Sequence, residues 1–219
     1  MLNILISVNK NYLEHAKTML CSVRFHTLED ITVYFINLNL SDIECNTFKE
    51  YLKKYKIHVE IIKIDNSIFD VFPIGNFHYS IEMYFRILAQ FLLPKELERV
   101  LWLDADIIVK KDIKDFYNQD FNGKSLIACM DKNNEKSDVK HVKEVLSLEE
   151  SYLYFNSGVL LLNLEKLRKG KSIEKIATIA NGLKDKLTFP DQDILNVLYQ
   201  KDVEYKPWET FNYQVGGVL

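Results

Sequence analysis

Apolar positions change period repeatedly along the first hundred residues. Asn3 to Val8 is a short β-rich run, and Leu13, Ala16, Met19, Leu20 and Val23 follow at helical spacing, which predicts a strand feeding a helix. Ile31 to Leu38 is a second run of β-branched and aromatic residues. Ser41, with Glu44 three residues later, forms a capping-box signature that opens a helix through Tyr55. Ile57 to Ile64 returns as a third strand. Two successive strand-helix-strand units predict a parallel sheet, an architecture that binds nucleotides beyond the carboxyl ends of its strands. Ser80 then reads as the cap of a helix carrying Ile81, Tyr84, Phe85, Leu88 and Phe91 and stopped by Pro94. Val100 to Leu103 is a fourth strand, after which Asp104 and Asp106 precede a further apolar run, Ile107 to Val109. Lys110 to Asp112 reads as a surface turn, Phe116-Tyr117 as a short helix, and Ser125 to Met130 as a strand. Asn133 to Glu150 is polar with weak helical spacing and reads as a variable segment. Val159 to Leu164 is a buried strand, and Phe189 to Asn196 starts a helix. The whole is an α/β domain with a mainly parallel central sheet and a mixed second half.

Composition narrows the class. The 219 residues are 47% hydrophobic and 27% charged, with a net charge of minus 3, which gives no overall field for nucleic acid. Cys21, Cys45 and Cys129 are odd in number and widely spaced, so neither a disulfide framework nor a zinc site is indicated, and a reducing cytoplasm fits. The N-terminus lacks a basic leader, and no apolar stretch approaches the ~18 residues of a spanning helix. Peripheral membrane contact stays open, and oligomeric state is not legible.

The candidate chemistry starts with Asp104 and Asp106. Two carboxylates ending an apolar strand are costly to bury unless something positive meets them, so they should emerge at solvent. Positions i and i+2 of an extended segment share a side, roughly 7 Å apart, and oxygen-only ligands select Mg2+ or Mn2+. A charged turn between two strands is the competing explanation. No glycine-rich phosphate loop follows the first strand. Its turn, Ser7-Val8-Asn9-Lys10-Asn11-Tyr12, offers Asn side chains for a base edge and Tyr12 for stacking, although Asn is equally a helix cap. Arg86, among apolar neighbours, either snorkels to solvent or reaches an anion. Tyr154 to Gly158 is a polar entry to a buried strand, where Gly158 permits close backbone approach. In Asp191-Gln192-Asp193, helix capping explains one acid and leaves the second acid and the amide unexplained.

Taken together, the Ile-Ser-Val-Asn-x-Asn-Tyr start, Tyr84-Phe85-Arg86, Leu101 to Asp106, Phe155 to Leu160 and Asp191 to Asn196 resemble glycosyltransferase family 8. That family includes glycogenin and bacterial lipopolysaccharide galactosyl- and glucosyltransferases. The resemblance implies that residues 1–219 form a single GT-A-type, Rossmann-like domain that transfers glucose or galactose from a UDP-sugar, with retention, to a saccharide or glycolipid acceptor. It implies Mn2+ (or Mg2+) on Asp104 and Asp106, and nucleotide contacts from Ser7, Val8, Asn9, Tyr12 and Ala105. It further implies donor-sugar contacts from Asp104, Asn156, Ser157, Asp191 and Gln192, with Asp191, Gln192 and Arg86 as the catalytic set. Two departures stand out. Asn9 replaces the Asp of many members. The family's His-x-x-Gly-x-x-Lys-Pro-Trp element is absent: no histidine follows His141, and Lys206-Pro207-Trp208 has Gln200 and Val203 at the matching upstream positions. Loss of the segment beyond Leu219 is the expectation, with weak metal retention and little turnover. His78 reads as an acceptor contact or a surface residue. The alternatives are a nucleotide-sugar-binding domain with little catalysis, and an aspartate-nucleophile phosphatase, which needs its motif on the first strand.

Overall fold

The β-branched runs pair into one twisted layer. A computed structural model describes residues 1–73 and 81–215, so the helix cap read at Ser80 and the contact read at His78 lie outside the described residues. Among the described residues the sheet has seven strands: β1 (Leu2–Ser7), β2 (Ile31–Asn37), β3 (Ile57–Lys63), β4 (Arg99–Leu103), β5 (Leu126–Met130), β6 (Phe155–Asn163) and β7 (Val203–Lys206), in the order β3-β2-β1-β4-β6-β5-β7. β1 runs parallel to both β2 and β4, and β2 to β3. β6 is antiparallel to β4 and β5, and β7 is parallel to β5, which is the mixed second half that the sequence predicts.

Alternation along the strands assigns each face its own core. Leu2, Ile4 and Ile6 of β1, Leu101 and Leu103 of β4 and Leu161 of β6 pack beneath α1 (Leu13–His26) and α2 (Asp42–Lys53) through Ala16, Met19, Leu20, Val23, Phe48 and Leu52. Leu5, Val100, Trp102, Leu160 and Leu162 face the other way. They meet α3 (Tyr84–Ile87), α4 (Ala89–Leu92), α7 (Leu164–Arg168), α8 (Ile173–Leu183) and α9 (Pro190–Tyr199). The short α5 (Lys114–Tyr117) joins the first face, and α6 (Ser137–Val145) makes a small satellite cluster with Tyr154. After β7, α10 (Trp208–Phe211) returns across the sheet edge. No helix among the described residues is long and apolar enough to cross a membrane.

Three local expectations change. The α2 capping box forms, with Glu44 N–H to Ser41 Oγ at 3.3 Å and Ser41 N–H to Glu44 Oε2 at 2.9 Å, but the helix stops at Lys53 because Lys56 turns to φ +56°. The helix read over Ile81 to Phe91 is divided into a 3-10 turn (Ile81–Met83), α3 and α4. Leu88 leaves helical geometry at the break and is fully buried, so core packing overrides local periodicity. Ile107 to Val109 is not a strand. It lies along α1, where the Val109 N–H donates to Ser22 Oγ at 2.9 Å, so the Asp104/Asp106 pair is not a turn between two strands.

Leu161 is fully buried on the central antiparallel strand. Leu161→Ala should cost about 2–5 kcal/mol of unfolding free energy in urea titrations monitored by tryptophan fluorescence.

Candidate active site

The chain turns away from β1 in two directions: β2 and β3 lie on one side and β4 on the other. The carboxyl ends of β1 and β4 are therefore adjacent, with Leu5 opposite Trp102, and a crevice opens at this reversal of strand order. Ser7, Val8 and Asn9 leave β1 there, and Asp104, Ala105 and Asp106 leave β4. Because β6 runs antiparallel, its amino end arrives at the same edge. Leu103 pairs with Val159, and the Asp104 N–H donates to the Gly158 carbonyl at 2.9 Å.

Arg86, on α3, stands over the Trp102 ring with its guanidinium 4.3 Å from the ring centroid. Nη2 lies 2.9 Å from Asp104 Oδ1, and Nη1 lies 3.0 Å from Asp191 Oδ2. Nη1 also donates to the Ser157 carbonyl at 3.0 Å and to Ser157 Oγ at 3.2 Å. The same Asp104 oxygen accepts Trp102 Nε1–H at 2.9 Å, while Oδ2 has no hydrogen bond among the described residues. Burial raises the Asp104 pKa against the opposing pull of Arg86 and Trp102, and the negative charges of Asp191 and Asp106 push it further up. Asp104 thus has one paired oxygen and one with no partner among the described residues. Snorkelling, the alternative for Arg86, does not occur: its side chain is 13% exposed and its charge is spent on two carboxylates.

Gly158 is required by close approach. A Cβ there would sit 2.9 Å from Asp104 Oδ2 and 3.1 Å from Asn156 Oδ1. Asn156 Oδ1 accepts the Gly158 N–H and Asn212 Nδ2–H, each at 2.9 Å. Ser157 donates its N–H to Gln192 Oε1 at 2.9 Å and its hydroxyl to Asp191 Oδ2 at 2.8 Å. Arg86, Asp104, Asn156, Ser157, Asp191 and Gln192 thus form one contiguous cluster.

The two acids of Asp191-Gln192-Asp193 do different work. Asp191 meets Arg86 and Ser157, whereas Asp193 is fully buried and accepts the Thr188 N–H at 2.6 Å, the Phe189 N–H at 2.9 Å and the Tyr154 hydroxyl. Burial pushes the Asp193 pKa up, and these three donors hold it down. Asn196, one turn on, accepts the Phe155 N–H at 2.8 Å and the Tyr152 hydroxyl at 2.9 Å. The Asp193 and Asn196 side chains fasten α9 to the start of β6.

The nucleotide candidates are less tightly drawn together. Asn9 acts as the cap of a 3-10 turn (Lys10–Tyr12), with Oδ1 accepting the Asn11 N–H at 3.0 Å. Tyr12 is half exposed and packs on His15, centroids 5.3 Å apart. A cleft of about 250 Å3 beside them is lined by Glu14, His15, Thr18, Ala105, Asp106, Ile107 and Ile108. Val8 and Ala105 turn partly into the α1-side core.

With that geometry in view, residues 3–217 match the family model Glycosyl transferase family 8. The chain belongs to glycosyltransferase family 8. It is 29% identical over 212 residues to the lipopolysaccharide 1,2-glucosyltransferase of Escherichia coli (strain K12), covering 95% of this chain and 61% of that protein. It is 27% identical over 221 residues to glycosyltransferase GlyF of Streptococcus pneumoniae serotype 4, covering 98% of this chain and 49% of that one. These alignments span about half to six tenths of the length of those relatives. The crystal structure of the galactosyltransferase LgtC in complex with donor and acceptor sugar analogs superposes with a TM-score of 0.83 at 26% identity, covering 94% of this chain and 74% of that one. The architecture is the GT-A fold.

The donor set suits the divalent cation that family 8 implies. Asp106 is exposed, with no hydrogen bond or ion pair among the described residues, and Asp104 Oδ2 is uncommitted, so the pair offers hard oxygen ligands alone. No group of three or more His, Cys, Asp and Glu side chains is positioned to hold a metal among the described residues. Cys129 is no rival nucleophile, since burial pushes its thiol up to about 12. Asp104 follows the fourth strand, which removes the condition that the phosphatase alternative needs. Sequence reasoning gave no separate role to Asp193, Asn196, Trp102 or Asn212. The unexplained second acid in Asp191-Gln192-Asp193 was the one available signal.

Asp193→Asn should test the fastening of α9. An amide offers one acceptor oxygen where the carboxylate has two, so either Tyr154 or the Thr188 and Phe189 N–H groups lose their partner. A loss of about 1–3 kcal/mol is expected in denaturant unfolding.

Proposed function

We propose that this chain binds a UDP-hexose in the crevice between β1 and β4 and transfers its glucose or galactose, with retention, to a saccharide or glycolipid acceptor. The observation that carries this reading is the Arg86 bridge, which holds Asp104 at the end of β4 against Asp191 at the start of α9, with Ser157 bonded to both Arg86 and Asp191. Membership of family 8 and the lipopolysaccharide glycosyltransferases among its relatives support the reaction class. Ser7, Val8, Asn9, Tyr12 and Ala105 line the nucleoside side of the crevice in this reading. The Asn9 amide nitrogen has no hydrogen bond among the described residues and is able to donate, and the half-exposed Tyr12 ring offers a stacking face.

Asp104 and Asp106 would hold Mn2+ or Mg2+, and that ion would supply positive charge against the departing diphosphate. Asn156, Ser157, Asp191 and Gln192 surround the hexose. Asp191 is tied to Arg86 and Ser157 through Oδ2, which lowers its value as a nucleophile and suits it to orienting the sugar. The reaction that fits is same-face substitution. The anomeric C–O bond to the diphosphate breaks, the acceptor oxygen bonds to the same carbon from the same face, and its proton passes to the departing phosphate oxygen. A cytoplasmic location, with peripheral contact at the inner face of the membrane, fits a glycolipid acceptor.

The test is UDP release from UDP-glucose and UDP-galactose with Mn2+, with and without EDTA. Two unit charges 4 Å apart attract by about 4 kcal/mol at an effective dielectric near 20, which corresponds to roughly a thousandfold in rate. EDTA, or Asp104→Asn with Asp106→Asn, should therefore abolish turnover and metal-dependent UDP binding. Metal-dependent UDP binding with no release by the parent chain would leave a nucleotide-sugar-binding domain instead. Gly158→Ala should fold and yet weaken Mn2+ binding by about 10–100-fold in calorimetric titration, because its Cβ displaces Asp104.

A further inference from the structure

We infer that Asn212 is a positioning residue that fixes the amide of Asn156, so that its NH2 group rather than its carbonyl oxygen is presented to the donor hexose. The inference rests on the UDP-hexose reading above for the identity of that ligand, and on hydrogen-bond polarity for the orientation.

A backbone N–H can only donate. The atom of Asn156 that lies 2.9 Å from the Gly158 nitrogen is therefore Oδ1, and the atom of Asn212 that meets the same oxygen at 2.9 Å is Nδ2. Both acceptor sites of Oδ1 are filled. The NH2 group of Asn156 has no hydrogen bond among the described residues, and the residue is only half-buried. Its neighbour Ser157 is fixed through Gln192 and Asp191, so two free N–H donors sit beside the Arg86 cluster. Hexose hydroxyl oxygens are the acceptors that such donors suit.

Asn212 is itself held from both sides. The segment after Pro207 turns back through the Phe211 N–H to the Pro207 carbonyl at 3.1 Å and the Asn212 N–H to the Trp208 carbonyl at 3.0 Å. Phe211 packs on Phe116, centroids 5.1 Å apart. Gln214 accepts the Lys132 N–H at 3.3 Å and donates to the Met130 carbonyl at 3.4 Å. A segment from the end of the described chain thereby sets the polarity of a residue on β6.

The experiment exploits an isosteric reversal. Asn212→Ala removes one of two bonds to Oδ1 and leaves Gly158 to hold it. Asn212→Asp points a carboxylate at Oδ1, so the amide must either turn its NH2 toward Asp and abandon the Gly158 N–H, or bear the repulsion. Affinities for UDP, UDP-glucose and UDP-galactose with Mn2+ are measured by calorimetry for the parent chain and both variants. Added negative charge weakens nucleotide and nucleotide-sugar alike, whereas a turned amide weakens the hexose contribution alone. The ratio of UDP-hexose to UDP affinity should fall about tenfold in Asn212→Asp and less in Asn212→Ala, with no further fall when either is added to Asn156→Ala. A ligand-free readout accompanies it: the Gly158 amide proton should exchange faster in Asn212→Asp. An unchanged affinity ratio together with unchanged Gly158 exchange would overturn the inference, as would equal loss for UDP and UDP-hexose. Failure of the parent chain to bind UDP would overturn the nucleotide-sugar reading, and with it the hexose half of this inference. The exchange measurement would still decide whether Asn212 orients Asn156.

Discussion

One guanidinium holds two carboxylates from elements 87 residues apart in sequence, and the rest of the site depends on it. Arg86 ties Asp104, where β4 ends, to Asp191, where α9 begins, and rests on the Trp102 ring that also donates to Asp104. The planar fork of Arg is suited to this in a way that a Lys ammonium is not, because two nitrogens serve two partners at fixed separation. Removing the cation would leave two partly buried acids facing one another without compensation, which is more costly than the bridge is stabilising. One cation against Asp104, Asp106 and Asp191 also leaves the cluster net negative. A divalent ion is the complement of that imbalance, and it would also offset the burial that raises the Asp104 pKa.

Sheet topology explains why these residues meet. Parallel strands deliver their carboxyl ends to one edge, and an antiparallel strand delivers its amino end to that same edge. Among the described residues β6 is the one strand antiparallel to both its neighbours, and it therefore brings the polar stretch Asn156 to Gly158, rather than the apolar run that follows, alongside Asp104. A parallel strand in that position would have placed Leu162 and Asn163 there instead. The mixed second half is thus a condition of the site and not an irregularity of the fold.

Much of this was legible from local pattern, and what was not has a common cause. The strands, the α2 capping box and the α1 stripe are set by neighbours within a few residues, so periodicity and propensity predict them. The break at Leu88 and the non-strand course of Ile107 to Val109 are decided by burial against distant helices, which no local period records. The order of polar segments identified the family, and hence which residues to gather, but it did not reveal what Arg86 would do. The resemblance put it in the catalytic set, and local pattern left snorkelling or an anion open; in the structure its charge is divided between two carboxylates, with Ser157 beside them. Asp193 and Asn196 read as helix-start residues and proved to be buried acceptors for backbone N–H and tyrosine hydroxyl groups. Their partners, Tyr152 to Phe155 and Thr188-Phe189, are loop and strand-entry positions that only the folded chain brings near.

The entry to β6 shows how a structural need produces a chemical surface. Its ladder with β5 is shifted at this point and its ladder with β4 begins only at Val159, so the backbone N–H groups ahead of it require other acceptors. Side-chain amide oxygens supply them: Asn134 for Tyr154, Asn196 for Phe155, Gln192 for Ser157 and Asn156 for Gly158. Every amide that accepts through its oxygen turns its nitrogen the other way. The nitrogen of Asn134 is taken by the Asp131 and Tyr154 carbonyls, and that of Asn196 by the Phe155 and Gln192 carbonyls. Among the described residues the NH2 groups of Asn156 and Gln192 make no such bond, and Gln192 is buried whereas Asn156 is half-buried. The free NH2 group of Asn156 is what remains after the strand entry has satisfied its own backbone.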